Sequence, residues 1–185
     1  MRTLFIGNSH TYFNDMPAIF RDLCRARGMD MEVTMLATPN MGLDFHAASE
    51  EARFNILFGD YDYIILQHCA HPMGDLEVMD RAAGELLAMI RTTKAIPVFY
   101  MTWTKKGDEA SQADMAAVYE RLGRKYGVKV APVGLRWQEA RLMHPETEYY
   151  FADGAHASPA GSALAASVIL ETIISESIQD SPSIP

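Results

Sequence analysis

The residues of this chain whose types could do chemistry fall into three groups far apart in the sequence. The first is Gly7-Asn8-Ser9-His10-Thr11. A serine hydroxyl is a weak nucleophile at neutral pH and acts when a neighbouring base takes its proton. The apolar run before Ser9 reads as a strand, so Ser9 sits at a strand-to-helix turn. Gly7 permits the tight turn. Backbone N–H groups at the start of the following helix can face a developing negative charge. The same serine is also what a helix N-cap asks for, so this loop alone leaves both readings open.

The second group is Asp153-Gly154-Ala155-His156. An imidazole titrates near working pH and suits a general base. It needs a partner on its other nitrogen to fix tautomer and orientation. An aspartate three residues earlier on one tight turn can be that partner. Asp-Gly is equally common in surface turns. Ser158 and Pro159 read as the N-cap and first residue of a closing helix. The third group would form an oxyanion hole, which needs several donors aimed at one point. Candidates are the Ser9 backbone N–H, the backbone of Gly42, and the side-chain amide of Gln67 at a strand end.

Other polar residues crowd the same loops. His68 and His71 form a His-x-x-His pair beside Cys69, with His10 and His46 in nearby loops. A catalytic zinc site of three ligands is an alternative for them. Their other reading is as pocket walls, and His10, His68 and Trp103 are the candidates for lining a substrate pocket. Tyr12, Phe13, Phe45 and the aromatics at 149–151 also lie near the predicted loops.

These groups must be held by the elements between them. Short apolar runs at 3–7, 31–36, 61–66, 97–102 and 128–131 predict five strands. Helical spacing predicts helices over 16–27, 43–58, 75–93, 112–126, 134–143 and 158–177. Alternating strands and helices imply an α/β fold with a parallel sheet covered on both faces. Ligands then bind beyond the carboxyl ends of the strands, where all three groups fall. One domain over 1–178 is expected, with 179–185 a flexible tail.

The 185 residues carry a formal net charge of −8, the wrong sign for nucleic acid or an anionic membrane surface. No apolar run approaches the roughly 20 residues of a membrane span. Two cysteines, Cys24 and Cys69, are too few for a disulfide framework and read as free thiols. No signal peptide is visible, so the expected location is the cytoplasm, with a trimmed secreted form still open. Oligomeric state is not readable.

Together the three groups resemble the SGNH (GDSL-like) hydrolase superfamily. Gly7-Asn8-Ser9 is similar to its Gly-Asp-Ser nucleophile block, Gly42 to its second-block glycine, and Asp153-x-x-His156 to its last block. A bacterial branch of it has a similar Gly-Asn-Ser-x-Thr start. Two departures stand out: Asn8 replaces the usual Asp, and Leu66-Gln67-His68 takes the place of Gly-x-Asn-Asp. The resemblance implies a three-layer α/β/α sandwich around a five-stranded parallel sheet. It implies ester hydrolysis with Ser9 as nucleophile, His156 as base and Asp153 as its partner. Ser9, Gly42 and Gln67 would form the oxyanion hole, and no metal or organic cofactor is implied. Short loops and the lack of a long apolar lid point to a small acyl group, such as acetyl on a carbohydrate. A non-catalytic ligand-binding module and an acyltransferase with the same triad remain alternatives.

Overall fold

The computed structural model describes residues 1–177, so the tail expected at 179–185 lies outside the described residues. Five strands, β1 (Arg2–Gly7), β2 (Glu32–Ala37), β3 (Tyr63–Leu66), β4 (Ile96–Tyr100) and β5 (Lys129–Ala131), form one sheet. Its order is β2-β1-β3-β4-β5 and every pairing is parallel.

Strand periodicity divides the core. Alternate side chains point to opposite faces, so Phe5, Ile65, Val98 and Tyr100 pack on one side of the sheet. Leu4, Ile6, Ile64, Leu66 and Phe99 pack on the other. The first face is covered by α2 (Met16–Ala26), α7 (Val133–Met143) and α8 (Pro159–Ser177). The second is covered by α3 (Leu43–Ala47), α4 (Glu50–Phe58), α5 (Leu76–Ile90) and α6 (Gln112–Tyr126). This is the three-layer α/β/α sandwich expected from the sequence.

The segment 43–58 is two helices instead of the single one predicted. Ser49 interrupts it and caps α4 by accepting from the Ala52 N–H at 3.2 Å. Apolar spacing runs across this break, while the cap signal is a single serine. The helix expected after the Ser9 turn begins at once: α1 (Ser9–Tyr12), capped by Asn8 and not by Ser9, and the 3₁₀ turn Phe13–Asp15 precede the helix predicted over 16–27.

The connection from β2 returns across β1 to reach β3, so the strand order reverses between β1 and β3. That reversal opens a crevice at the carboxyl end of a doubly wound sheet. Ile6 pairs with Leu66, so the loops after β1 and β3 leave the sheet side by side. The first carries Ser9 and the second begins with Gln67.

Candidate active site

Ser9 is held by a closely bonded turn. Asn8 caps α1, its Oδ1 accepting from the His10 N–H at 3.1 Å. The Gly7 carbonyl accepts from His46 Nε2 at 2.8 Å and from the Thr38 N–H at 3.1 Å. Beneath the turn, Gln67 Oε1 accepts from the Asn8 N–H at 2.8 Å and from the Thr11 hydroxyl at 3.0 Å. A Cβ at Gly7 would collide with that same Gln67 oxygen and with the Thr11 hydroxyl. Glycine is required there for close approach, not for an unusual φ.

The partner segment is equally fixed. Asp153 Oδ1 accepts from the Ala155 and His156 N–H groups, each at 2.9 Å. Gly154 takes φ +68°, which suits a glycine. Ser158 Oγ accepts from the Gly161 N–H at 3.2 Å and caps α8. The two segments, 147 residues apart, then meet. Ser9 Oγ–H donates to His156 Nε2 at 2.8 Å. The Nδ1–H of His156 donates to Asp153 Oδ2 at 2.5 Å. Burial acts to raise the Asp153 pKa, but the His156 side chain and the two N–H donors outweigh it and hold it down at about 2. Asp153 is therefore an acceptor at any working pH.

Asn14 joins the two segments, and nothing in the sequence marked it. It takes φ +53°, a region asparagine tolerates better than most residues. Its Nδ2 donates to the Ala157 carbonyl and to Ser162 Oγ, both at 2.9 Å. Phe13 lies flat on His156, with ring centroids 4.2 Å apart and planes at 11°. One face of its ring is thus taken by His156. We expect Phe13→Ala to lower kcat roughly tenfold, since a loosened base spends less time in line. KM should move less, and Phe13→Tyr should restore the rate. Steady-state kinetics on the three proteins check this.

Three sequence-based assignments change. Gln67 is fully buried, its Nε2 donating to the His68 carbonyl and its oxygen occupied as above. Its amide braces the nucleophile turn from below and faces no substrate, because one more methylene turns it back into the backbone. We expect Gln67→Met to cost about 2 kcal/mol by stranding the Asn8 N–H, read as a lower denaturation midpoint. His68 does not line the pocket: its Nδ1 accepts from the Leu43 N–H at 3.0 Å and its Nε2 donates to the Met73 carbonyl at 2.9 Å. Trp103, 1% exposed, stacks on Trp137 at 3.8 Å and donates Nε1–H to the Ala155 carbonyl at 2.9 Å. It supports the His156 turn from behind.

Of the other assignments, Ser9, His10 and His156 border a cleft of about 360 Å³ together with His71, while Gly42 and Asp153 lie off its walls. The Ser9 and Gly42 N–H groups have no partner among the described residues. Gly42 caps α3, and a Cβ there would meet the His68 ring. Of the histidines named as possible metal ligands, His46 Nε2 bonds the Gly7 carbonyl and His71 Nε2 the Trp103 carbonyl, each at 2.8 Å, while the buried His10 Nε2 and His71 Nδ1 have no partner among the described residues. Among the described residues no three His, Cys, Asp or Glu side chains converge as metal ligands. Cys24 is buried and Cys69 half-buried, both free thiols.

His10 stacks beside His156, centroids 5.2 Å apart. Burial, then the His71 and His156 rings, lower its pKa to about 3, so it adds no charge beside His156. Burial also lowers His46, His68 and His71. An unfolded histidine takes up a proton near pH 6.5, while the folded chain resists. Stability from these groups is full above that pH and falls as pH drops toward 3. The slope is about 1.4 kcal/mol per pH unit for each histidine kept neutral only in the fold. Urea denaturation at pH 7.5 and 5.0 should show this, with a shallower drop in His10→Gln.

No family model matches the sequence, and neither does any curated protein searched. Solved structures do match. A G-D-S-L family protein from Desulfitobacterium hafniense superposes with a TM-score of 0.68 at 15% identity, over 92% of this chain and 98% of that one. The chain has the SGNH hydrolase fold. A carbohydrate esterase of family 3 from Talaromyces cellulolyticus gives a TM-score of 0.73 at 10% identity, covering 98% of this chain and all of the other. A DUF4886 family protein from Bacteroides uniformis gives 0.80 at 17% identity, covering 100% of this chain and 87% of its own length. At such identities the SGNH likeness is one of fold, and function rests on the site. No helix among the described residues is long and apolar enough to cross a membrane.

Proposed function

We propose that this chain is a serine esterase that hydrolyses small acyl esters, acetyl foremost, of a carbohydrate. The observation that carries the reading is the relay from Ser9 Oγ to His156 Nε2 and from His156 Nδ1 to Asp153. Ser9 Oγ attacks the ester carbonyl as its proton passes to His156 Nε2. The carbonyl oxygen becomes an oxyanion, held by the free N–H groups of Ser9 and Gly42. The C–O bond to the alcohol then breaks, and the proton on Nε2 goes to the departing alkoxide. Water, deprotonated by His156, attacks the acyl carbonyl; the bond to Ser9 Oγ then breaks, Oγ takes the proton from Nε2, and the acid leaves. Asp153 keeps Nδ1 protonated and supports the imidazolium that forms at each step.

A small acyl group fits the cleft of about 360 Å³, whose walls carry Asn8, Asn40 and three histidines, His10, His71 and His156. The superposition on a carbohydrate esterase agrees with an alcohol of sugar type. Hydrolysis of p-nitrophenyl esters of increasing chain length tests this. Acetate should turn over fastest, and faster turnover of the palmitate would refute the small-acyl reading.

A further inference from the structure

We propose that the alcohol half of the substrate, a neutral polyhydroxyl group, binds in a second cavity that opens from the catalytic cleft past His71. This rests on the esterase reading above. The second cavity holds about 470 Å³, a usual size for a small-molecule site, roughly 300–1,000 Å³. Ala70, His71, Pro72 and Lys105 border both spaces.

Its position decides which half of the ester it takes. The loop after β4 is bonded to the turn that carries His156 at two points. Trp103 Nε1 donates to the Ala155 carbonyl and the Lys106 N–H donates to the Gly154 carbonyl, both at 2.9 Å. Lys105 lies between these anchors, so the second cavity opens on the His156 side of Ser9. The departing oxygen must lie on that side to receive the proton from Nε2, and the alcohol extends beyond it.

Its chemistry decides what kind of alcohol. Thr104 borders the cavity, and its hydroxyl has no partner among the described residues. Lys105 and Asp114 form no ion pair there either. Asp108 accepts from Ser111 Oγ at 2.6 Å, which leaves its other oxygen open. An alkyl chain here would strip water from these groups and return no hydrogen bonds. Sugar hydroxyls both donate and accept, so they satisfy carboxylate, ammonium and threonine alike. Two carboxylates against one ammonium disfavour an anionic alcohol. Met115 supplies an apolar floor for a ring's C–H face.

The test compares three substrates: methyl 6-O-acetyl-glucoside, p-nitrophenyl acetate and p-nitrophenyl octanoate. Wild type, Thr104→Val and Asp114→Ala are each assayed on all three. Asp114 is an exposed residue on α6, so its variant is expected to fold even if Thr104→Val does not. In each variant kcat/KM for the glucoside acetate, divided by that for p-nitrophenyl acetate, should fall about tenfold. The octanoate-to-acetate ratio should hold. An unchanged glucoside ratio overturns the subsite while leaving the esterase reading intact. A changed octanoate ratio with a constant glucoside ratio places the acyl chain in the cavity and also overturns it. Wild type inert toward both acetates removes the esterase reading, and the subsite with it.

Discussion

Ser9→Ala lowers kcat on p-nitrophenyl acetate by roughly 10⁴- to 10⁶-fold. In the proposed mechanism Ser9 Oγ is the atom that attacks, and among the described residues no other hydroxyl is bonded to His156 Nε2. The residual rate expected is that of the proposed N–H donors of Ser9 and Gly42, which the substitution leaves in place. The turn should survive, because the groups that hold it are Asn8, Gln67, Thr11 and His46. A thermal melt close to that of wild type, beside the lost rate, separates chemistry from folding. An activity loss below tenfold would mean that another group attacks this ester.

Asp153→Asn has the second-largest expected effect, about 10⁴-fold in kcat. The carboxylate makes two separable sets of bonds. Oδ1 accepts from the Ala155 and His156 N–H groups and shapes the turn. Oδ2 accepts from the His156 ring. An asparagine keeps Oδ1 and so keeps the turn. In place of Oδ2 it presents an N–H₂, which pairs with a deprotonated Nδ1. The ring proton then moves to Nε2, which can no longer accept from Ser9. The protein should therefore fold, stay nearly as stable, and lose its rate. Asp153→Ala should lose both, because the two N–H groups of the turn also lose their acceptor. Unfolding midpoints and kcat measured on both variants check the contrast.

The α/β class was legible because β1, β3 and β4 are short apolar runs separated by helix-length segments with helical spacing. Ser9, Asp153 and His156 were legible because they sit in compact local patterns with glycine at the turns. The role of Gln67 was not: a strand-end amide reads the same whether it points into a cleft or back under the turn. Only the positions of Asn8 and Thr11 decide that. Trp103 likewise lies just past β4, where a pocket wall is expected, but Trp137 from α7 covers its face. Asn14 and the Phe13 stack depend on contacts over more than 140 residues, which no local pattern encodes. Asn8, a departure from the usual Asp of the nucleophile block, caps α1 as an aspartate would, so its carboxamide suits the same turn.

The proposed function requires Ser9 to be a nucleophile activated by His156. The most direct test is to treat the protein with a fluorophosphonate, digest it with trypsin and map the adduct by mass spectrometry. One phosphonylated peptide is expected, residues 3–21, whose sole serine is Ser9, with a loss of labelling in His156→Gln. An unlabelled wild-type protein that still hydrolyses p-nitrophenyl acetate, or an adduct on any other peptide, would contradict it.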